Sequence, residues 1–306
     1  MKREPSFSKR RQGSSREFLL RDDIKQHLLY WPANKLSSQS VLLLHGYSND
    51  AHIWDSLAPR LQEKYNVYAI DFRGHGDSDW SMESHYNYEV LVEDIHEVVR
   101  HLKLDSFHMI GHSLGALVAA LYNQHYQPHL QSFTIVDVGP EIGNSAICKL
   151  KNDADEMPRC FKSLHEYKNY LESIYFLSDQ HALNHIAEYG LKPLPNGGFT
   201  PKTDPCFGSS LWHCQSDNEE DFNVMRLINN QLWKALACIA VPTLILKGQY
   251  SAVLSDVIAN KMTNEIIENA KISVVSRAGH AVMIDNPEDF ERVIMSFIDK
   301  IKMAHA

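Results

Sequence analysis

Apolar residues in this chain follow two alternating rhythms. Short, largely apolar runs bounded by turn residues lie at Val41–Leu44, Val67–Ile70, Phe107–Ile110, Phe133–Val136 and Pro242–Leu246, with a shorter one at Ile272–Val275. Runs of this kind fit strands buried on both faces of a parallel sheet. Between them the spacing changes to three and four. Ile53, Leu57 and Leu61 share one face of 51–64, Val90, Asp94 and Val98 mark 87–102, and a small-residue helical pattern covers 113–126. Near the end, Asn286-Pro287 supplies a cap and a first-turn proline, and Phe290, Val293, Ile294, Phe297, Ile298 and Ile301 form an apolar stripe. At the start, 17–21 and 26–31 flank the turn-like Asp22-Asp23 as an antiparallel hairpin. Strand alternating with helix predicts an α/β fold, a mostly parallel eight-stranded sheet with helices on both faces. Right-handed crossovers in such a sheet put its functional loops at the carboxyl ends of the strands.

The alternation stops between about 141 and 238. Helical spacing fills roughly 156–176 and 179–189, turns gather at Pro193, Pro195, Asn196-Gly197-Gly198, Pro201 and Pro205, and a further helix spans 218–238. So long a stretch between two core strands is no simple connection. It is expected to be an inserted, mostly helical cap, so the chain divides into a core of 17–140 and 239–306 and a cap of 141–238. Trp212, Trp233, Tyr167, Tyr170, Tyr175 and Phe176 enrich the cap in aromatics, a composition that suits packing or the lining of an apolar pocket.

Composition narrows the function. With 306 residues, 44% of them hydrophobic, the chain can bury one large core or a core and a subdomain. The formal charge of −8 is uneven: residues 1–16 carry six Lys and Arg against Glu4, a basic tail expected to be disordered. The acidic remainder argues against nucleic acid as a partner. No run approaches the ~18 apolar residues of a membrane span, so no stable membrane insertion is expected, and no apolar leader follows the tail. Five cysteines without a C-x-x-C suit reduced thiols in a cytoplasmic protein. Neither a P-loop nor a G-x-G-x-x-G is present, so no nucleotide cofactor is expected. His181 and His185 stand four apart on one helical face, but with no third ligand and no Glu beside the first His they imply no metal.

The chemistry centres on Gly111-His112-Ser113-Leu114-Gly115, set between a strand and a helix. In this G-x-S-x-G arrangement the serine occupies a strained turn, and the glycines let strand and helix backbones approach where a β-carbon would clash. The serine Oγ is then bared at the sheet edge, with the first amides of the helix aimed at the same point.

Four landmarks follow one another: His45-Gly46-Tyr47 after one strand, Asp71-Phe72-Arg73-Gly74-His75-Gly76-Asp77-Ser78 after the next, Gly111–Gly115, and Gly279-His280 near the end. Together they closely resemble the α/β-hydrolase superfamily, in its capped, carboxylesterase-like serine hydrolase branch, over about 17–303. The resemblance implies Ser113 as nucleophile, His280 as its base, and the backbone amides of Tyr47 and Leu114 as an oxyanion hole. His45 and the Arg73–Gly76 segment are expected to shape loops rather than to react. The acid departs from the pattern. Relatives carry Asp in a G-x-x-D setting after the strand at 242–246, where this chain has Gly248-Gln249-Tyr250-Ser251-Ala252. Asp137, at the end of the strand that follows the nucleophile helix, is favoured because some relatives place their acid there. It could equally tether the Gly139-Pro140 turn. Asp256 and Glu141 are alternatives, Asp256 being expected to begin a helix.

The resemblance implies a hydrolase that needs no cofactor and cleaves a small or medium apolar carboxylic ester, or a related acyl substrate, through an acyl-enzyme. C–C bond hydrolysis, lactone opening or perhydrolysis on the same Ser-His pair, and a non-catalytic ligand sensor, are the alternatives. Neither the natural substrate nor the oligomeric state is set by the sequence.

Overall fold

Burial follows the apolar runs. In the computed structural model, which describes residues 12–35, 39–208 and 219–304, the strands are β1 (Ser14–Leu19), β2 (Lys25–Trp31), β3 (Ser40–Leu44), β4 (Asn66–Ile70), β5 (Phe107–His112) and β6 (Leu130–Val136). A small hairpin of β7 (Leu191–Pro193) and β8 (Phe199–Pro201) comes next, then β9 (Thr243–Gly248) and β10 (Ala270–Val275). Eight of them form one sheet in the order β1-β2-β4-β3-β5-β6-β9-β10. Every neighbouring pair from β4 to β10 is parallel, and β2 alone runs against both its neighbours.

The helices are α1 (Ala58–Leu61), α2 (Tyr88–Leu102), α3 (Leu114–Tyr126), α4 (Asn144–Asp155), α5 (Leu164–Ile174), α6 (Gln180–Tyr189), α7 (Glu219–Ala237), α8 (Asp256–Lys261), α9 (Val282–Asp285) and α10 (Pro287–Ala304). Alternate residues of β3 point into separate cores. Leu42 and Leu44 join a cluster built with α2 and α3, whereas Val41 and Leu43 join one built with Trp54, Leu57 and α10. That period of two buries both faces of the sheet, and every residue of β3, β5 and β9 is buried, the polar His108, His112, Thr243 and Lys247 among them. On the α2 side the turn after β4 is tied down by Arg73, whose Nε and Nη2 each donate to the buried Asp94 carboxylate at 2.6 Å.

Three segments differ from their expected form. The stretch 51–64 is a 3-10 turn over Ala51–Trp54 followed by the short α1, because Pro59 suits the first turn of a helix and not its interior. Within 156–176 only α5 is helical, and a further helix, α4, lies just upstream, the two separated around Pro158. A residue before proline avoids helical ψ, and Ser163 then caps α5 by accepting from Glu166 N at 3.2 Å. Ser14, Ser15 and Arg16 belong to β1 rather than to a tail, and Arg16 lies 3.8 Å from the centre of the Tyr30 ring across the hairpin. The tail residues 1–11, Trp212 and Cys214 lie outside the described residues.

Between β6 and β9, neighbours in the sheet, the chain runs through α4 to α7. Phe161, Tyr167, Leu171, Leu183, Ala187 and Leu191 form a small apolar cluster separate from the two main ones. The last helix of the stretch behaves differently: Leu232, Ala235 and Leu236 of α7 join the main cluster on the α3 side. Asn49 Nδ2 donates to Tyr175 Oη at 3.5 Å and Ser178 Oγ donates to Asp285 at 2.5 Å, so the insertion touches the loops at the carboxyl edge of the sheet. Among the described residues no helix is long and apolar enough to cross a membrane.

Candidate active site

Five loops leave the carboxyl ends of five consecutive strands, β3, β5, β6, β9 and β10, and carry Tyr47, Ser113, Asp137, Ser251 and His280 in that order. Parallel pairing does the aligning. His112 is paired with Val136, so Ser113 and Asp137 each stand one residue past the end of the ladder on adjacent strands. Ser113 N donates to Val136 O at 3.0 Å and Asp137 N to Leu246 O at 2.8 Å, which holds both residues at the edge.

Ser113 sits at φ 51°, ψ −122°, a backbone conformation rare for a residue with a side chain. The neighbouring glycines make the bend feasible. A β-carbon on Gly115 would lie 2.5 Å from the carbonyl oxygens of Leu44 and His45, and one on Gly111 would lie 2.6 Å from the Ala116 backbone. The Ser113 carbonyl accepts from Ala116 N and Leu117 N, so α3 starts directly after it. The amide of Leu114, like other first-turn amides, then has no acceptor within its own helix. A β-carbon on Gly46 would come 3.1 Å from Ser113 Cβ, so the 46–47 main chain runs beside the serine. His45 holds that loop: its Nδ1 donates to Gly46 O at 2.7 Å and its Nε2 accepts from Phe72 N at 3.0 Å. The Tyr47 ring packs against His75 and Phe207, and burial pushes its phenol up to about 12, so it stays neutral.

Asp137 is fully buried and its carboxylate accepts three hydrogen bonds. Oδ1 takes Gly248 N at 2.8 Å, and Oδ2 takes Ser251 Oγ at 2.6 Å and His280 Nδ1 at 2.8 Å. The other ring nitrogen of His280 lies 3.0 Å from Ser113 Oγ. An ionised carboxylate only accepts, so the His280 proton sits on Nδ1 and Nε2 is left bare to accept from the Ser113 hydroxyl. Serine, imidazole and carboxylate therefore form one continuous hydrogen-bonded chain. The two other carboxylates lie elsewhere. Asp256 begins α8, its side chain is 83% exposed, and it pairs with Lys247 at 3.1 Å. Glu141 accepts from Trp233 Nε1 at 2.6 Å.

Several supporting residues escaped the sequence reading. Ser251 occupies the position where the resemblance leads one to expect an acid, and it donates to the acid next door. A serine three residues past Gly248 together with an Asp ending the preceding strand was the available signal. His112 Nε2 donates to His280 O at 3.0 Å. Burial, reinforced by the nearby His280 ring, holds His112 well below the ordinary histidine range, so it is neutral. On the other side Gly279 N donates to Asp285 Oδ2 at 2.8 Å. Burial raises the Asp285 carboxyl, against the opposing hydrogen bonds from Ser178 and Gly279.

Comparison with known proteins agrees with this fold. The model of the family described as alpha/beta hydrolase fold matches residues 39–287. A 2-(acetamidomethylene)succinate hydrolase from Mesorhizobium japonicum is 27% identical over 265 residues, covering 87% of this chain and 90% of the relative. The monoacylglycerol lipase ABHD6 of Bos taurus is 23% identical over 279 residues, covering 86% of this chain and 76% of that protein. Among solved structures, the crystal structure of E-2-(acetamidomethylene)succinate hydrolase superposes with a TM-score of 0.81 at 24% identity, over 94% of this chain and 99% of the other. At that identity the superposition speaks for the fold alone.

Proposed function

The chain belongs to the alpha/beta hydrolase fold family, and from that premise we propose that it is a serine hydrolase that cleaves a small or medium apolar carboxylic ester through an acyl-enzyme. The observation that carries the reading is the chain of contacts from Ser113 Oγ through His280 to Asp137, at 3.0 and 2.8 Å. A serine hydroxyl is almost un-ionised at neutral pH and needs a base to attack a carbonyl. His280 Nε2 takes the proton as Ser113 Oγ bonds to the carbonyl carbon, and Asp137 steadies the resulting imidazolium. The amides of Tyr47 and Leu114 donate to the oxyanion, and removing one such donor typically costs ~10²–10³ in rate. His280 then hands its proton to the leaving alkoxide. In the second half it takes a proton from water as the water oxygen bonds to the acyl carbon, and returns that proton to Ser113 Oγ as the acyl C–Oγ bond breaks. The route draws on no cofactor.

The part of the 141–238 insertion built round the separate cluster of Phe161, Tyr167 and Leu183 serves as the cap, while α7 packs into the core. The cap's contacts through Tyr175 and Ser178 to the edge loops favour a substrate enclosed beneath it, and hence a small molecule over a polymer. The relatives named for hydrolysing a monoacylglycerol and an acetamido compound support hydrolysis at a carbonyl. Five cysteines without a C-x-x-C suit a reducing, cytoplasmic setting.

A fluorophosphonate probe together with p-nitrophenyl esters of increasing chain length tests the reading. Wild type is expected to be labelled and to turn over the shorter esters, whereas Ser113→Ala does neither. An unlabelled wild type at neutral pH would overturn the catalytic reading and leave a ligand sensor. A labelled protein inert towards every ester would overturn the substrate class alone.

A further inference from the structure

Away from Ser113, a second cluster of side chains joins the insertion to the core. His52 lies in the 3-10 turn after β3, Asp55 directly follows that turn, and His185 is on α6, 130 residues further along. His52 Nδ1 and His185 Nε2 both reach Asp55 Oδ2, at 2.8 and 2.6 Å. One ligand-type atom from each residue lies within 4.8 Å of the other two. All three side chains are at most 15% exposed. The second oxygen of Asp55, Oδ1, is buried and has no hydrogen-bond partner among the described residues. The Tyr189 ring stacks on His52 with centroids 3.7 Å apart and lies 4.9 Å from His185, which sets the plane of one imidazole and packs against the other.

We propose that His52 Nδ1, Asp55 and His185 Nε2 form a binding site for a divalent transition-metal ion of the zinc class, which clamps α6 of the insertion to the loop after β3. Two imidazoles and one carboxylate are a donor set that zinc accepts, whereas the hard ions magnesium and calcium prefer oxygen throughout. Bonds of about 2.0–2.2 Å at a tetrahedral angle separate neighbouring ligand atoms by roughly 3.3 Å. Each imidazole must therefore withdraw from Asp55 by less than about 1 Å, which small side-chain rotations supply. Each ring turns an N–H towards Asp55 in the contacts seen here and must offer that nitrogen's lone pair to the ion instead. The ion thus replaces two N–H donors at one oxygen and meets the charge of a buried carboxylate whose other oxygen is unpaired. Water completes the fourth position. His181, the residue that sequence spacing pairs with His185, is no part of the cluster. The third ligand comes from a distant loop, which explains why spacing along α6 did not reveal the site.

Calorimetric titration of the full chain with zinc ions alone, and the visible spectrum with cobalt ions alone, test the site. One zinc ion per chain is expected to bind saturably. His52→Gln and His185→Gln each weaken binding at least ~10-fold, while His181→Gln leaves it unchanged. Cobalt is expected to show the intense visible bands of a four-coordinate site in wild type and to lose them in Asp55→Asn. Saturable binding unaffected by substitution at 52 and 185, or weakened as much at 181, overturns the assignment. So does the faint spectrum of fully hydrated cobalt in wild type, a result that does not depend on how any variant folds.

Discussion

Replacing Asp137 by Asn separates activity from stability. The backbone there has φ 53°, a conformation that asparagine tolerates well, so the exchange adds no strain. An asparagine has one acceptor end and one donor end, and the site presents three donors. If the amide oxygen takes the Oδ2 place, its NH₂ faces Gly248 N–H, and a buried, unsatisfied donor costs about 1–3 kcal/mol. The favoured orientation puts the oxygen on Gly248 N, at the present 2.8 Å, and turns the NH₂ towards Ser251 Oγ and His280 Nδ1. Ser251 rotates to accept, and His280 shifts its proton from Nδ1 to Nε2 to do the same. Every hydrogen bond survives, so the urea unfolding midpoint is expected to stay close to that of wild type. The catalytic consequence is severe, because the shifted proton now points at Ser113 Oγ and the base has no free lone pair. In other triads this change lowers kcat ~10⁴-fold, roughly 5 kcal/mol of transition-state stabilisation. Asp256→Asn, at an exposed carboxylate paired with Lys247, is expected to leave turnover unchanged. Turnover of a p-nitrophenyl ester by both variants, beside their urea curves, is the assay. An Asp137→Asn enzyme retaining more than about a tenth of wild-type kcat, or an equal loss in Asp256→Asn, would refute the assignment of the acid.

Three further outcomes are expected. Gly115→Ala places a methyl 2.5 Å from two carbonyl oxygens, so the elbow and the loop after β3 must separate by roughly 1 Å; a loss of about 1–3 kcal/mol in urea unfolding, together with reduced ester turnover, is predicted, and an unchanged variant would contradict the close approach. Arg73→Ala strands the buried Asp94 carboxylate, which burial already raises to about 6 against the pull of Arg73; the expected cost is about 3–5 kcal/mol at pH 7, read from the same unfolding curves. Burial lowers His108 to about 4, and burial with His45 nearby lowers His75 to about 3. Between the unfolded value near 6.5 and these folded values, the unfolded chain binds protons that the folded protein refuses. Stability therefore falls as pH drops through that window, by up to about 1.4 kcal/mol per pH unit for each group. It is flat with respect to these groups above it, and His108→Gln should flatten part of the slope in unfolding curves at pH 7, 6 and 5.

Much of this protein was legible from its residues in order. Largely apolar runs announced strands buried on both faces, and the structure places β3, β5 and β9 within a residue or two of them, because burial on two sides favours apolar residues at successive positions. The nucleophile turn was legible for a local reason. Gly111, Ser113 and Gly115 shape one another across only five positions, so their spacing is itself the geometry. His280 was reachable through its place after the last strand. What resisted was whatever depended on one strand lying beside another. Nothing in the chain order says that the loop after β6 abuts the loop after β9, so Asp256 and Glu141 stayed open beside the favoured Asp137, whereas parallel pairing places Asp137 next to Ser113, with Ser251 donating to it from the next strand. The His52, Asp55 and His185 cluster is the extreme case, being assembled only when α6 folds back onto the loop after β3. Local spacing encodes what neighbouring residues impose on one backbone; contacts across more than a hundred residues exist only once the sheet has set which loop ends meet.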